Sequence, residues 1–90
     1  MKPPWRLQLA SNVILDGLAL ELLGEPYRIV AEVFRSDADH TVTISVFEYG
    51  VPPDVLEELV QRARELLDPF EDGTPLPATW ISSGFPPARE

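Results

Sequence analysis

The spacing closest to a recognisable chemical site is Asp37-x-Asp39-x-Thr41 with Glu48 further along, which puts oxygen-bearing side chains where a calcium loop has its first, third, fifth and last ligands. The sixth position, however, is Val42, where the sharp turn of such a loop takes glycine. His40 to Tyr49 also alternates like a strand, which cannot wrap an ion. Calcium is therefore not expected, and Ser36-Asp37-Ala38-Asp39 reads as a hairpin loop whose side chains fold back on their own backbone.

Other chemistries fall away by inventory. There is one histidine and no cysteine, which excludes a His-pair metal site, a thiolate site, a cysteine nucleophile and a disulfide framework. His40 beside Asp37 and Asp39 could serve as an acid or base only with convergent partners that the sequence does not identify. Ser82 and Ser83 have no base near them in sequence, and no Gly-rich phosphate loop or nucleophile elbow is present. No enzyme activity, cofactor or metal is expected.

Charge is the stronger signal. The 90 residues carry a net charge of -8. Residues 1–36 balance Asp16, Glu21, Glu25 and Glu32 against Lys2, Arg6, Arg28 and Arg35. Residues 37–90 set eleven carboxylates against Arg62, Arg64 and Arg89, so the excess lies there. Such a field repels phosphate backbones, and direct nucleic-acid binding is disfavoured. It would attract a basic protein, or imitate a nucleic acid toward a protein that binds one. No apolar run is long enough to span a membrane, and the start of the chain lacks the pattern of a secretory signal, so a cytoplasmic location is the expectation.

The elements that must position these groups belong to one small α+β domain covering residues 1–90, with a core over about residues 5–68 and a Pro-rich tail over 69–90. A chain of this length buries roughly 64% of its unfolded surface. Trp5, Leu7 and Leu9 alternate with Arg6 and Gln8 as a strand, placed at an edge because Pro3 and Pro4 precede it. Ser11-Asn12 reads as a turn. Val13 to Leu23 makes a poor helix, with Gly17 inside and Asp16 and Glu21 on opposite sides. It is read instead as Val13 to Leu15 continuing after a bend, a turn at Asp16-Gly17, and a strand with Leu18, Leu20 and Leu22 on one face. Tyr27 to Arg35 and His40 to Tyr49 alternate as a hairpin, with Ile29, Val33, Val42, Ile44 and Val46 toward the helix and Val30, Phe34, Phe47 and Tyr49 on the reverse.

Pro53 suits the first helical position. Val55, Leu56, Leu59, Val60, Ala63, Leu66 and Leu67 then form one stripe. Glu57, Glu58 and Glu65 lie on the other side, with Glu58 placed to pair with Arg62, and Asp68-Pro69 ends the helix. The expected fold is thus an antiparallel meander of three to five strands, one C-terminal amphipathic helix packed on one face, and an irregular Pro-rich tail.

One helix leaves one sheet face uncovered. The expected covers are Trp80, Ile81 and Phe85 of the tail, a second copy, or another protein. The functional expectation is a small acidic protein-binding domain of the inhibitor, antitoxin or immunity kind. It would meet a partner, basic in character, through Glu57, Glu58 and Glu65 on the helix or through Phe34, Phe47, Tyr49 and Trp80 on the aromatic side. The alternatives are a ligand-binding or enzymatic subunit with a pocket between sheet and helix served by His40, Arg28 or Arg35, and a homodimeric structural module.

Overall fold

Four strands follow one another as an antiparallel meander and one helix packs across them. In the computed structural model, which describes residues 1–77, these are β1 (Arg6–Asn12), β2 (Gly17–Gly24), β3 (Arg28–Ser36), β4 (Thr41–Val46) and α1 (Pro53–Leu67). The sheet order is β1-β2-β3-β4, so β1 and β4 are its edges. The α+β meander with one helix is the architecture that alternation and helical spacing predict.

Each connection has a local cause. Between β1 and β2, the Asn12 side-chain oxygen accepts a hydrogen bond from the Leu15 amide at 2.9 Å, and Asp16 takes a positive φ of 54°. Val13 to Leu15 is therefore the turn itself and not a continuing strand, whereas Ser11 and Asn12 belong to β1. Between β3 and β4, the Ser36 hydroxyl accepts from the Asp39 amide at 3.2 Å and His40 takes φ 55°, so β4 starts at Thr41, and it ends at Val46 and not at Tyr49 as the alternation predicts. At the helix, Pro52 is the N-cap and Pro53 the first helical residue, as expected.

α1 packs on β2 and β3. Leu20, Leu22 and Val33 from the sheet meet Leu59, Ala63 and Leu67 from the helix, all essentially without exposure. Each large aliphatic side chain so buried stabilises the fold by roughly 1.5–3 kcal/mol. Beyond the helix, Phe70 and Leu76 are buried in the same core. The expected covers Trp80, Ile81 and Phe85 lie outside the described residues.

The facing of β3 needs a correction. Leu22 pairs with Ala31 but Leu23 pairs with Ile29, so Val30 is an extra residue in a bulge. The bulge shifts the alternation, burying Val30 completely in the core and leaving Ile29, expected to face the helix, 42% exposed. Past the bulge the expected phase returns. Leu20, Val33 and Ile44 lie in one cross-strand row on the helix side, and Phe34 pairs with Thr43 on the side opposite α1.

Candidate functional site

Two features of the sheet stand apart from what packing requires: a polar row across the face opposite α1, and the edge of β4 that no other described strand pairs.

The polar row follows from register. Gln8 pairs with Glu21, Glu21 with Glu32, and Glu32 with Ser45, so these four side chains cross all four strands on the face opposite α1. Gln8 Nε2 donates to Glu21 Oε1 at 2.6 Å. Glu21 is only 9% exposed and Glu32 is half-buried. Like charges directly opposite on a sheet repel. Burial, and then the neighbouring Glu21 charge, push the Glu32 carboxyl above its ordinary range. Among the described residues neither glutamate has a basic partner, whereas Glu48, Asp37, Glu65 and Asp72 each do.

Beside this row runs a second one of Ala10, Ala19, Phe34 and Thr43. The Phe34 ring lies over Gly17, where an added Cβ would collide with the ring and with the Arg35 carbonyl. Cross-strand cover of a glycine by an aromatic ring fixes both strands and ring. Leu15 from the turn, Glu21, Glu32, Phe34 and Thr43 then enclose a cleft of about 140 Å³.

The β4 edge follows from hydrogen-bond phase. The Phe47 amide donates inward to the Val30 carbonyl at 2.8 Å. Backbone groups of alternate residues point to the same side of a strand, so Val42, Ile44 and Val46 direct theirs outward. Val42, Ile44 and Val46 also occupy the helix side of β4, which α1 contacts less than it does β2 and β3: Val42 and Ile44 are half-buried against the core and Val46 is 48% exposed.

The residues expected to meet a partner are dispersed. Phe34 is half-buried in mid-face, whereas Phe47 is 56% exposed and Tyr49 fully exposed near the far end of β4. Phe34 pairs with Thr43, four residues before Phe47, a separation of about 13 Å at strand rise. The expected aromatic cluster of Val30, Phe34, Phe47 and Tyr49 therefore does not form. On the helix, Glu57 is exposed, Glu58 meets the Met1 amino group at 3.4 Å, and Glu65 meets Arg62 at 3.3 Å. The expected Glu58–Arg62 pair is thus replaced by Glu65–Arg62, and the acidic face is partly neutralised. Trp80 lies outside the described residues.

The polar groups considered for a pocket are engaged elsewhere. Arg28 forks onto Glu48 through Nε at 2.5 Å and Nη2 at 3.0 Å, and this hydrogen bonding lowers the Glu48 carboxyl. Arg35 Nη1 donates to the carbonyls of Leu67 and Pro69, both at 2.8 Å, and Nη2 to Asp37 at 3.0 Å. His40 stacks on Phe70 with centroids 4.6 Å apart and meets Asp72, not Asp37 or Asp39, at 2.9 Å. The groove between α1 and β1 is walled by Leu7, Leu9, Leu66, Glu58 and Arg62, without any of these three. The carboxylates of Asp16, Asp37 and Glu71 approach one another within 4.8 Å, but both Asp37 oxygens are already taken, by Arg35 and by the Glu71 amide.

The sequence reading missed Gln8, Glu21 and Glu32. The signal was present: with Leu18, Leu20 and Leu22 on one face, Glu21 must lie on the other, and Glu32 sits between Ala31 and Val33 in the same way. No family model matches the chain, and no curated protein or solved structure matches it.

Proposed function

We propose that this domain is a non-enzymatic protein-binding module that accepts an extended, basic segment of a partner as an additional strand on β4. The observation that carries the reading is the β4 edge, which no other described strand pairs. Thr41 to Val46 contains no charge, proline, glycine or bulge, the devices that normally blunt an exposed strand. The other edge has two of these: Arg6 lies within β1, and Pro3 and Pro4 precede it.

Strand addition uses outward backbone groups for affinity and alternate side chains for specificity. Here Val42, Ile44 and Val46 offer the donors and acceptors and also a partly uncovered apolar row. Aliphatic residues at alternate positions of the incoming segment would complete that row. Its basic character follows from the net charge of -8 and from Asp39 and Asp72 around the start of β4. A second copy suits the edge less well, because it brings the same charge.

Panning a random library of short peptides against the domain tests this. Enriched peptides should alternate aliphatic and polar residues with an excess of Lys and Arg, and should bind Val46→Pro at least roughly tenfold more weakly. The Val46 amide points outward, so the proline removes a docking donor without breaking the β3–β4 ladder. Enriched peptides that bind Val46→Pro as tightly as the parent, or a library without enrichment, would refute the reading.

A further inference from the structure

We propose that the cleft between Glu21, Glu32 and Phe34 is a binding slot for an organic cation, an alkylammonium or guanidinium group. The site is separate from the β4 edge and does not rest on strand addition.

Three independent features of the face opposite α1 converge on this chemistry. Glu21 and Glu32 stand directly opposite each other on the two central strands, so two negative charges share one small, partly desolvated space. That arrangement opposes folding unless something positive joins it. The other largely buried carboxylate with an ion pair among the described residues, Asp37, has its cation built in as Arg35. Glu21, nine-tenths buried, receives a hydrogen bond only from Gln8, at one oxygen, and its side chain lines the cleft. The other oxygen has no donor among the described residues and opens to the cleft's solvent.

The second feature is the wall. Phe34 is fixed over Gly17, and Leu15 folds in from the turn. An aromatic face beside carboxylates attracts a cation by its quadrupole while shedding the water that a metal ion would keep. Ser11, Asn12 and Thr43 add oxygen atoms to this lining, so a divalent ion, which takes six or more oxygen ligands, is the competing occupant that the salt arms of the test separate. The third feature is size. About 140 Å³ is close to the volume that accepts a benzene-sized guest, and it suits the head and last methylenes of a lysine or an arginine. Charge-assisted hydrogen bonds from such a head to both carboxylates are the stronger kind, and a guanidinium can fork onto them.

The cation has two sources, a small free amine or a Lys or Arg side chain of a protein. The test titrates the full chain, at constant ionic strength, with n-butylammonium, with ethylguanidinium and with an end-blocked lysine peptide, following the side-chain carboxyl carbons of Glu21 and Glu32 and the Phe34 ring by NMR. Saturable shifts confined to these groups support the slot. Saturation by the free amine identifies a small ligand, and saturation by the peptide alone identifies a protein side chain. Glu32→Gln, which relieves the repulsion and keeps the fold, should weaken binding roughly tenfold, the scale of losing one charge-assisted hydrogen bond. Val46→Pro should leave it unchanged, which separates this slot from the β4 edge. Shifts reproduced by sodium, magnesium or calcium chloride alone, or a Glu32→Gln variant that binds as tightly as the parent, would overturn the proposal.

Discussion

Glu21 and Glu32 are Cα partners across β2 and β3, two acids facing each other at the centre of the sheet without a basic neighbour among the described residues. Their cost depends on pH. The Glu32 carboxyl is raised in the folded state by burial and by Glu21, so the folded protein holds that proton more tightly than the unfolded chain does. Below the unfolded carboxyl range, about pH 4, both states are protonated and the penalty is absent. It develops as pH rises through the folded value. Glu32→Gln should therefore be more stable than the parent at neutral pH, by roughly 0.2–1 kcal/mol, the usual scale of a cross-strand pair. Urea unfolding at neutral and at acid pH checks this: the gain should vanish in acid.

Arg35 joins the end of the helix to the β3–β4 turn. Its fork reaches the Leu67 and Pro69 carbonyls and Asp37, and the second Asp37 oxygen accepts from the Glu71 amide. A cation at a helix C-terminus is favoured by the dipole, and the last carbonyls need donors. Both side chains are largely buried, at 13% and 8% exposure. Arg35→Met should cost about 3 kcal/mol, because it strands a buried carboxylate. Adding Asp37→Leu to that variant should recover part of the loss, and a double-mutant cycle by chemical denaturation measures the coupling.

Much of this fold was legible because burial imposes a period. Leu18, Leu20 and Leu22, the β4 alternation and the α1 stripe each repeat with the spacing of their element; Val55, Leu59, Val60, Ala63 and Leu67 of that stripe are buried, whereas Leu66, at its margin, is 38% exposed. The misreadings have local physical causes. Val30 and Ile29 exchange environments because a bulge adds a residue to one strand only, and strand alternation carries no mark of it. Val13-Ile14-Leu15 looks like strand by composition, yet Asn12 and Asp16 close a turn that leaves Val13 and Ile14 each 93% exposed. The Glu21–Glu32 pair was hidden because its meaning lies in register, and register depends on where the intervening turn falls. Glu57, Glu58 and Glu65 form a charge run, but the tertiary fold brings the Met1 amino group to Glu58, and Glu65 pairs with Arg62 one turn away on the same helix.

Gly17 should tolerate no side chain. A Cβ there would run into the Arg35 carbonyl, which the sheet holds in place, and into the Phe34 ring. Gly17→Ala should destabilise by about 1–3 kcal/mol, the range for overpacking a filled site. Thermal unfolding reads that cost. The Phe34 ring resonances should shift as well, because the ring must leave its seat over the glycine.

Ser45 is the Cα partner of Glu32 on β4, at the end of the polar row and beside the β4 edge. Ser45→Lys would put an ammonium directly opposite the carboxylate that lacks one. The cross-strand attraction should raise stability at neutral pH by roughly 0.2–1 kcal/mol and should lose that gain in acid, as Glu32 takes up its proton. The same lysine charges an edge strand that has no charge, so it should also suppress association at high protein concentration, which sedimentation can follow. Because the new side chain occupies the place proposed for an external cation, butylammonium should no longer produce saturable shifts at Glu21 and Glu32 in this variant. A stabilised variant that still binds butylammonium as the parent does would show that the Glu32 carboxylate is not the group the cation uses.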